Sequence, residues 1–210
     1  ALKVSTSNDA AILGNSANAY GYLGDYDRAI ADLNVAITLR PRHSAHYYYR
    51  GRAYHHKKNL DQAIADYSQA IKLNSGDYQA YGSRGVIYLD RNDLDRALSD
   101  LNKALSLNPN DAMFQNSRAM IYYKKGDFAR ALTDYSVSIC LDPTNAKVYH
   151  NRGLAYEKLG DEAQADADYK EAFRLDPKTA QRYINKVSQK IAAQTEAIRQ
   201  NPRDANAYIQ

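Results

Sequence analysis

The sequence has little cysteine, no long apolar run and no excess of charge of one sign. Cys140 is the only cysteine among 210 residues, so one chain can form neither an internal disulfide nor a cysteine-based metal cluster. The apolar runs are far shorter than the roughly 20 residues that a membrane-spanning helix needs, so we expect a soluble chain without membrane insertion. The 28 basic and 24 acidic residues are interspersed, which gives no dense field for a nucleic-acid partner.

Motifs of enzyme chemistry are also missing. The sequence contains no glycine-rich phosphate loop followed by Lys-Ser or Lys-Thr, no GxSxG elbow and no HExxH. Four histidines, His43, His46, His55 and His56, lie close together in the sequence. The adjacent pair His55 and His56 diverges by about 100° on a helix and lacks the i, i+4 partner that would converge on one ion. We therefore expect no catalytic residue, no cofactor and no metal site.

What the sequence does contain is a period of 34 residues without insertion. Its tyrosines are Tyr20, Tyr54, Tyr88, Tyr122 and Tyr156, and its alanines are Ala29, Ala63, Ala97, Ala131 and Ala165. This period is typical of helix-turn-helix units that stack into a solenoid, because each unit buries its apolar faces against its neighbours. The prolines set the frame. They predict units at residues 10–43, 44–77, 78–111, 112–145 and 146–179, after a polar lead-in at residues 1–9.

Within each unit the apolar spacing is helical and two turns recur, so two helices per unit are predicted. The first turn carries an Asp or Asn that can cap the second helix. Prolines at the second turn stop that helix. One slot of the first helix is small, which predicts close helix packing: Ala17, Gly51, Gly85, Ala119 and Gly153. The periodic tyrosines are expected in the core with Tyr67, Tyr135 and Tyr169, and a buried seam is expected at Leu39, Leu73, Leu107, Leu141 and Leu175.

Three stretches carry a family likeness: GDYDRAIADLNVAITLRP, GDFARALTDYSVSICLDP and NRGLAYEKLGD. Their small, tyrosine, alanine, aromatic or leucine, and proline slots recur in phase and resemble the tetratricopeptide repeat over residues 10–179. The resemblance implies an all-α, right-handed superhelical solenoid of helix-turn-helix repeats. It also implies a concave face built mainly from first helices, which the family commonly uses to bind peptides or helices of other proteins.

Opposite charges recur with the same period. The arginines are Arg50, Arg84, Arg118 and Arg152, and the aspartates are Asp32, Asp66, Asp100, Asp134 and Asp168. The arginines are candidates for binding an anionic ligand, but the shared period favours ion pairs between adjoining helices. We expect a ladder of ion pairs between repeats, such as Asp66 with Arg84.

The residues that the resemblance places in the groove do not repeat. They are Asn18, Tyr22, Tyr48, Tyr49, Arg52, His55, Val86, Leu89, Met113, Met120, Tyr123, Asn151 and Leu154. Along the chain they pass from aromatic and basic through apolar to mixed polar, which suits an amphipathic or extended peptide. Exposed Val, Leu and Met are informative because they lower solubility unless a partner covers them. The alternative is that neighbouring helices cover part of this surface.

A subtype of the family holds the carboxyl terminus of a chaperone in a carboxylate clamp. The clamp implies lysine and asparagine in one first helix, asparagine in the next, and lysine and arginine in the third. No frame supplies these charges. One frame, for example, gives Gly82, Val86, Ser117, Lys147 and Asn151, so we expect no clamp of this kind.

After Pro177 the period breaks. Tyr183, Ile184, Val187, Ile191 and Ile198 form an apolar stripe on a predicted helix over about 180–200, which would cap the last open face of the solenoid. The ending EAIRQNPRDANAY resembles a partial or truncated further repeat. The stripe at residues 180–210 is also a candidate for homo-oligomer contacts.

Together these patterns favour a non-catalytic scaffold that binds a peptide or helix of a protein partner in its groove. Two alternatives stay open. One is a regulatory or targeting segment of a larger enzyme or signalling protein, and the other is an oligomer that assembles through solenoid or C-terminal helix contacts. The compartment is open between the cytoplasm and export, because Ala1 is compatible with a processed amino terminus.

Overall fold

The computed structural model describes residues 6–179 and 181–200. In these ranges the chain forms eleven α-helices and no strand, so the predicted all-α class is confirmed. The helices are α1 (Thr6–Tyr22), α2 (Tyr26–Leu39), α3 (Ser44–His56), α4 (Leu60–Leu73), α5 (Tyr78–Asp90), α6 (Leu94–Leu107), α7 (Ala112–Lys124), α8 (Phe128–Leu141), α9 (Ala146–Leu159), α10 (Glu162–Leu175) and α11 (Gln181–Gln200). Among the described helices, none combines the length and apolarity that crossing a bilayer requires.

The chain divides into two compact units, residues 1–121 and 122–210, with the boundary inside α7. In the first unit α1 packs on α2, α3 on α4 and α5 on α6, and contacts of α2 with α3 and of α4 with α5 join these pairs. In the second unit α9 packs against both α8 and α10, and α10 contacts α11. The repeat boundaries and the capping role of α11 stay predictions.

Each of the even-numbered helices from α2 to α10 begins with a capping side chain, as the turn residues predict. The caps are Asp25, Asn59, Asp93, Asp127 and Asp161, and each accepts a hydrogen bond from the amide three residues later. The residue before each cap has a positive φ of 59° to 80°. Glycine reaches that conformation without strain, which explains why it fills three of these positions.

Three of the caps are reinforced by an arginine. Arg96 Nε donates to Asp93 Oδ2 at 2.6 Å, and its guanidinium carbon lies 4.5 Å from the centroid of the Tyr88 ring. The hydrogen bond from Arg96 lowers the pKa of Asp93. The same arrangement recurs at Asp25–Arg28–Tyr20 and at Asp127–Arg130–Tyr122. One face of each of these three tyrosine rings is therefore in contact with a cation.

The core includes the periodic alanines and three tyrosines from the second helices. Ala29, Ala63, Ala97, Ala131 and Ala165 are buried, as are Tyr67, Tyr135 and Tyr169. A Cβ at Gly51 would lie 2.9 Å from Tyr67 Cδ1, and one at Gly153 would lie 2.7 Å from Tyr169 Cε1. The small slot therefore lets a tyrosine of the paired helix approach the backbone, as predicted.

Two predicted parts of the core are less buried than expected. Of the periodic tyrosines, Tyr88 and Tyr122 are buried, whereas Tyr20, Tyr54 and Tyr156 are half-buried. The predicted leucine seam is wrong, because Leu107 and Leu141 are 40% and 38% exposed and Leu39, Leu73 and Leu175 are half-buried. Each of these leucines is the last residue of its helix, so no further turn of that helix covers it.

Three aspartates of the second helices pair with the arginine of the first helix just before them in the chain, whereas Asp32 accepts from Ser16 Oγ at 2.7 Å. Arg84 donates from Nε to Asp100 Oδ2 at 2.7 Å and from Nη2 to Asp100 Oδ1 at 2.8 Å. Both oxygens are thus held by one guanidinium fork. The same two-pronged contact joins Arg50 to Asp66 and Arg152 to Asp168. The ladder exists, but these ion pairs lie within a helix pair.

The predicted ion pair between Asp66 and Arg84 is therefore wrong. Both oxygens of Asp66 accept from Arg50, and the link of Arg84 to the preceding pair is neutral, from Nη1 to Ser68 Oγ at 2.8 Å. Equivalent neutral links are Arg50 to Asn34, Arg118 to Asn102 and Arg152 to Ser136. Arg50, Arg84 and Arg152 thus each bind a carboxylate on one side and a neutral oxygen on the other.

Neighbouring first helices of the first unit match each other in side-chain size. Gly14 of α1 faces His46 of α3, since a Cβ at Gly14 would lie 3.2 Å from His46 Nε2. Gly82 of α5 faces Phe114 of α7, where a Cβ would lie within 2.5 Å of three ring carbons. Between α3 and α5 the large side chain is on the earlier helix instead. Tyr48 of α3 packs against the cluster that contains Ala80 of α5.

The C-terminal helix α11 is described over Gln181–Gln200. Of its predicted apolar stripe, Ile191 is 56% exposed and Ile184 is half-buried. The side chains of Tyr183, Val187 and Ile198 lie outside the described residues, as do the lead-in at residues 1–5 and the ending at residues 201–210.

Candidate functional site

Four of the predicted groove residues form one cluster between α1 and α3. Arg52 Nη2 donates to Asn18 Oδ1 at 2.8 Å. The guanidinium carbon of Arg52 lies 5.2 Å from the centroid of the Tyr22 ring and 5.3 Å from that of Tyr49, within cation–π range. Tyr22 is 77% exposed, and the other three are half-buried. The cluster therefore presents a cation and aromatic faces that a ligand can reach.

A cleft of about 220 Å³ adjoins this cluster, between α1 and the start of α3. It is lined by Ala11, Gly14, Asn15, Asn18, Arg40, His43, Ala45, His46 and Tyr49, with no carboxylate among them. The lining therefore offers amide, imidazole, phenol and guanidinium groups and no negative charge. Such a cleft suits a ligand that carries hydrogen-bond acceptors.

His46 is the most deeply buried polar side chain of the cleft. It is 3% exposed, and its Nδ1 has no hydrogen-bond partner among the described residues. Burial, followed by the positive charges of His43 and Arg40, lowers the pKa of His46 to about 4. The imidazole is therefore neutral at pH 7.

Tyr48 and His55 of α3 serve packing as well as surface. The Tyr48 ring centroid lies 5.4 Å from that of Tyr49 and 5.8 Å from that of the buried Tyr67. Burial raises the pKa of Tyr48 and lowers that of His55, so both are neutral at pH 7. In the part of the chain that the structure describes, no three His, Cys, Asp or Glu side chains converge as a metal site would require.

The predicted apolar middle of the groove, on α5 and α7, differs most from expectation. Leu89 is 6% exposed and belongs to the core cluster with Leu101 and Phe114. Its placement as an exposed groove residue is therefore wrong: the aliphatic side chain packs into the core, and the alternative of cover by neighbouring helices holds for it. The other three predicted residues differ in exposure: Val86 and Met120 are half-buried against that cluster, whereas Met113 is 57% exposed.

An amide lies beside the half-buried methionine. Asn116 Nδ2 approaches Met120 Sδ at 3.8 Å, while Asn116 Oδ1 is buried without a hydrogen-bond partner among the described residues. Of the apolar groove that the sequence predicts on these helices, the exposed part is therefore Met113 and the edges of Val86 and Met120.

The remaining predicted residues belong to the second unit. Tyr123 is half-buried, and its ring centroid lies 5.4 Å from that of Phe128. Asn151 and Leu154 lie on α9 and are also half-buried.

Sequence reasoning overlooked the part of the cleft that comes from the loop before α3. Arg40 and His43 line the cleft, but they belong to the turn between α2 and α3 rather than to a first helix. The basic string Arg-Pro-Arg-His at residues 40–43 is the signal that could have identified it, because the other proline turns carry no such cluster of cations.

Four family profiles match the chain. Three are described as tetratricopeptide repeat and match residues 15–78, 78–111 and 146–179, and one is described as TPR repeat and matches residues 119–160. Together they cover most of the chain. Among curated proteins, no sequence match was found.

Solved structures share the fold. YrrB, described as a TPR protein with an unusual peptide-binding site, is 22% identical, with 79% of this chain and 85% of that chain covered and a TM-score of 0.66. A structure of MamA is 23% identical, with 82% and 94% covered and a TM-score of 0.69. MamA from Desulfovibrio magneticus RS-1 is 17% identical, with 83% and 98% covered and a TM-score of 0.73. At these identities the likeness concerns the fold.

Proposed function

Because the chain belongs to the tetratricopeptide repeat family, whose fold is a scaffold for protein interactions, we propose that it binds a peptide or a helix of a partner protein without catalysing a reaction. The proposed site in the first unit is the face formed by α1, α3 and α5, with Met113 and Met120 of α7. The mechanism is equilibrium binding.

The observation that carries this proposal is the contrast between repeating and non-repeating residues. Residues that repeat form the core and the ion pairs. The cluster of Asn18, Tyr22, Tyr49 and Arg52 does not repeat from one repeat to the next, and a ligand can reach it. Tyrosine and arginine are the residue types that most often dominate binding energy at interfaces. The α1–α3 cleft beside them gives a peptide side chain a concave place to bind.

The YrrB comparison supports the same proposal, since that protein is described as having a peptide-binding site. In the second unit, taken by itself, the proposed binding residues are Tyr123, Asn151 and Leu154, which present half-buried aromatic, amide and apolar groups. In the first unit, Tyr48, His55 and Val86 would contribute their exposed edges.

Selection of peptides from a random display library on the immobilised chain tests the proposal. A selected peptide is labelled with fluorescein and titrated by anisotropy against the parent and against Tyr49→Ala. Loss of an aromatic anchor is expected to weaken binding about tenfold or more. Val35→Ala is the matched control, because Val35 is 50% exposed on α2 and is not part of the proposed face.

Two results would contradict the proposal. One is a library that yields no binding peptide, and the other is equal loss of binding in Tyr49→Ala and Val35→Ala. Circular dichroism of each variant separates lost binding from lost fold.

A second copy of the chain is a second candidate partner, through residues 180–210. The observation that favours it is Ile191, which is 56% exposed on α11. Light scattering over a range of concentrations should show a dimer that Ile191→Glu abolishes while helicity is kept. A monomer at every concentration would reject this candidate.

A further inference from the structure

Arg52 differs from nine other arginines in the described part of the chain, each of which has a carboxylate partner. Arg50, Arg84 and Arg152 each bind an aspartate with two nitrogens, and Arg28, Arg91, Arg96, Arg130, Arg174 and Arg199 each have a carboxylate partner. Arg52 is half-buried, yet in the described part of the chain its polar partner is the neutral amide oxygen of Asn18. Withdrawing a cation from water without a counter-charge is costly.

The guanidinium of Arg52 is held in place by neutral side chains. One of its five N–H groups is used by Asn18, and the aromatic rings of Tyr22 and Tyr49 lie beside the guanidinium carbon. Four N–H groups are left in a planar fork, which is the geometry that binds both oxygens of a carboxylate. Because Asn18 and the two rings already restrict the side chain, a ligand that binds it loses less conformational entropy.

The surroundings of Arg52 favour negative charge over positive. Asn18 and Tyr49 belong both to its cluster and to the α1–α3 cleft, whose lining includes Arg40 and His43 and no carboxylate. Within this cleft, burial lowers the pKa of His46 and the charges of His43 and Arg40 lower it further. A basic ligand would meet repulsion in this cleft, and an acidic ligand would meet attraction.

The start of α3 adds to this field. The helix begins at Ser44, and His43 at its N-cap makes no side-chain hydrogen bond to the free amides. In contrast, α5 and α9 begin with Asp77 and Asn145, which do accept from the amides of their helices. The positive end of the α3 dipole is therefore not neutralised by an acidic cap.

We propose that the partner peptide is acidic, and that Arg52 together with the α1–α3 cleft binds an Asp or Glu side chain of that peptide. This inference rests on the proposed peptide-binding function. Arg52 would hold the carboxylate by two hydrogen bonds, while Asn15 and the exposed faces of Tyr22 and Tyr49 would contact the neighbouring peptide groups.

The test compares peptide selections on the parent chain and on Arg52→Gln. A random library of peptides about a dozen residues long is panned on both proteins in parallel. Peptides from the parent should be enriched in Asp and Glu relative to the starting library, and peptides from Arg52→Gln should not. Arg91→Gln is the control of equal charge, because Arg91 is paired with Asp61 on the surface, and it should select the same acidic peptides as the parent.

A thermodynamic cycle then separates recognition from a structural role of Arg52. The probe is the most enriched parent-selected peptide, labelled with fluorescein, and its version with each Asp and Glu changed to Asn and Gln. We expect about tenfold to a hundredfold weaker binding for either Arg52→Gln or the amide peptide, and no further loss for both together. Arg52→Lys should restore part of the affinity, since it keeps the charge and loses the fork.

Equal affinity of the acidic and amide peptides for the parent would overturn the inference. It would also be overturned if the losses of binding free energy from Arg52→Gln and from the amide peptide were additive. A single-stranded DNA oligonucleotide that displaces the acidic peptide at lower concentration would assign the cation to nucleic acid and overturn it too. Peptides that bind through Tyr49 without acidic preference would reject the acidic partner and leave the proposed function standing. A library that yields no binder would reject both.

Discussion

Replacing Gly82 by alanine tests whether neighbouring first helices are matched in side-chain size. Gly82 lies within α5, where alanine is favoured over glycine by about 1 kcal/mol of helix propensity. The added Cβ would lie within 2.5 Å of three carbons of the Phe114 ring. Phe114 is 2% exposed and belongs to the core cluster of the first unit, so its ring has little room to move.

The two effects have opposite signs, and their magnitudes decide the outcome. Adding volume to a packed core costs about 1 to 3 kcal/mol, and the overlap with three ring atoms places Gly82→Ala toward the upper end. After the propensity gain, the expected net loss in the free energy of unfolding is about 1 to 2 kcal/mol. Gly21→Ala is the matched control, because the nearest atom to its Cβ would be Arg52 Nη2 at an ordinary 3.5 Å, and it should cause no loss.

Urea unfolding, followed by circular dichroism and by tyrosine fluorescence, measures these differences. Coincidence of the two probes checks that the unfolding is cooperative, which repeat proteins do not guarantee. Phe114→Leu supplies the second arm of a double-mutant cycle with Gly82→Ala. We expect a coupling of about 1 kcal/mol or more, because the smaller side chain makes room for the methyl group. A stabilising or uncoupled Gly82→Ala would refute the size-matching argument.

Two further predictions follow from the contacts. A double-mutant cycle of Arg84→Gln with Asp100→Asn should give a coupling of about 1 to 3 kcal/mol, and the cycle of Arg84→Gln with Asp66→Asn less than about 0.5 kcal/mol; the reverse order would contradict the pairing described above. The pKa of His46 is about 4 in the folded chain against 6.5 when unfolded, so the unfolded state binds more protons and stability falls as the pH drops from above 6.5 toward 4. Between about pH 8 and pH 5 this loss is on the order of 2 kcal/mol, and urea unfolding should show that His46→Gln loses less stability over the same interval, whereas an unchanged pH dependence would reject the assignment.

The repeating residues were sufficient to predict the fold class, because a solenoid places the same residue in the same environment in every unit. The buried Ala63 and Tyr67 and the caps of the second helices follow directly from their recurrence. What recurrence could not supply was the partner of each charge. Arg50 precedes Asp66 in the sequence and Arg84 follows it at a similar distance. Which of the two arginines Asp66 binds depends on the geometry of the helix pair.

The candidate site was harder to predict because it is made of residues that occur once. Leu89 occupies the slot that holds the half-buried His55 in the preceding repeat, so its position in the repeat suggested that Leu89 would be exposed. An aliphatic side chain packs against neighbours that an imidazole would avoid, so Leu89 joins the core. Conversely, Arg40 and His43 lie in a turn, where the helical pattern carries no information about direction.

The size matching of Gly14 with His46, and of Gly82 with Phe114, means that the helix pairs of the first unit are not interchangeable. If residues 44–77 and 78–111 traded places, Gly14 would come opposite Ala80 and leave a void, while Tyr48 would come opposite Phe114 and be crowded. The same mismatch opposes a slip by one repeat during folding, when similar surfaces compete for one neighbour. The side-chain volumes at these contacts thus specify the order of the repeats. That order keeps the non-repeating residues of α1 and α3 adjacent.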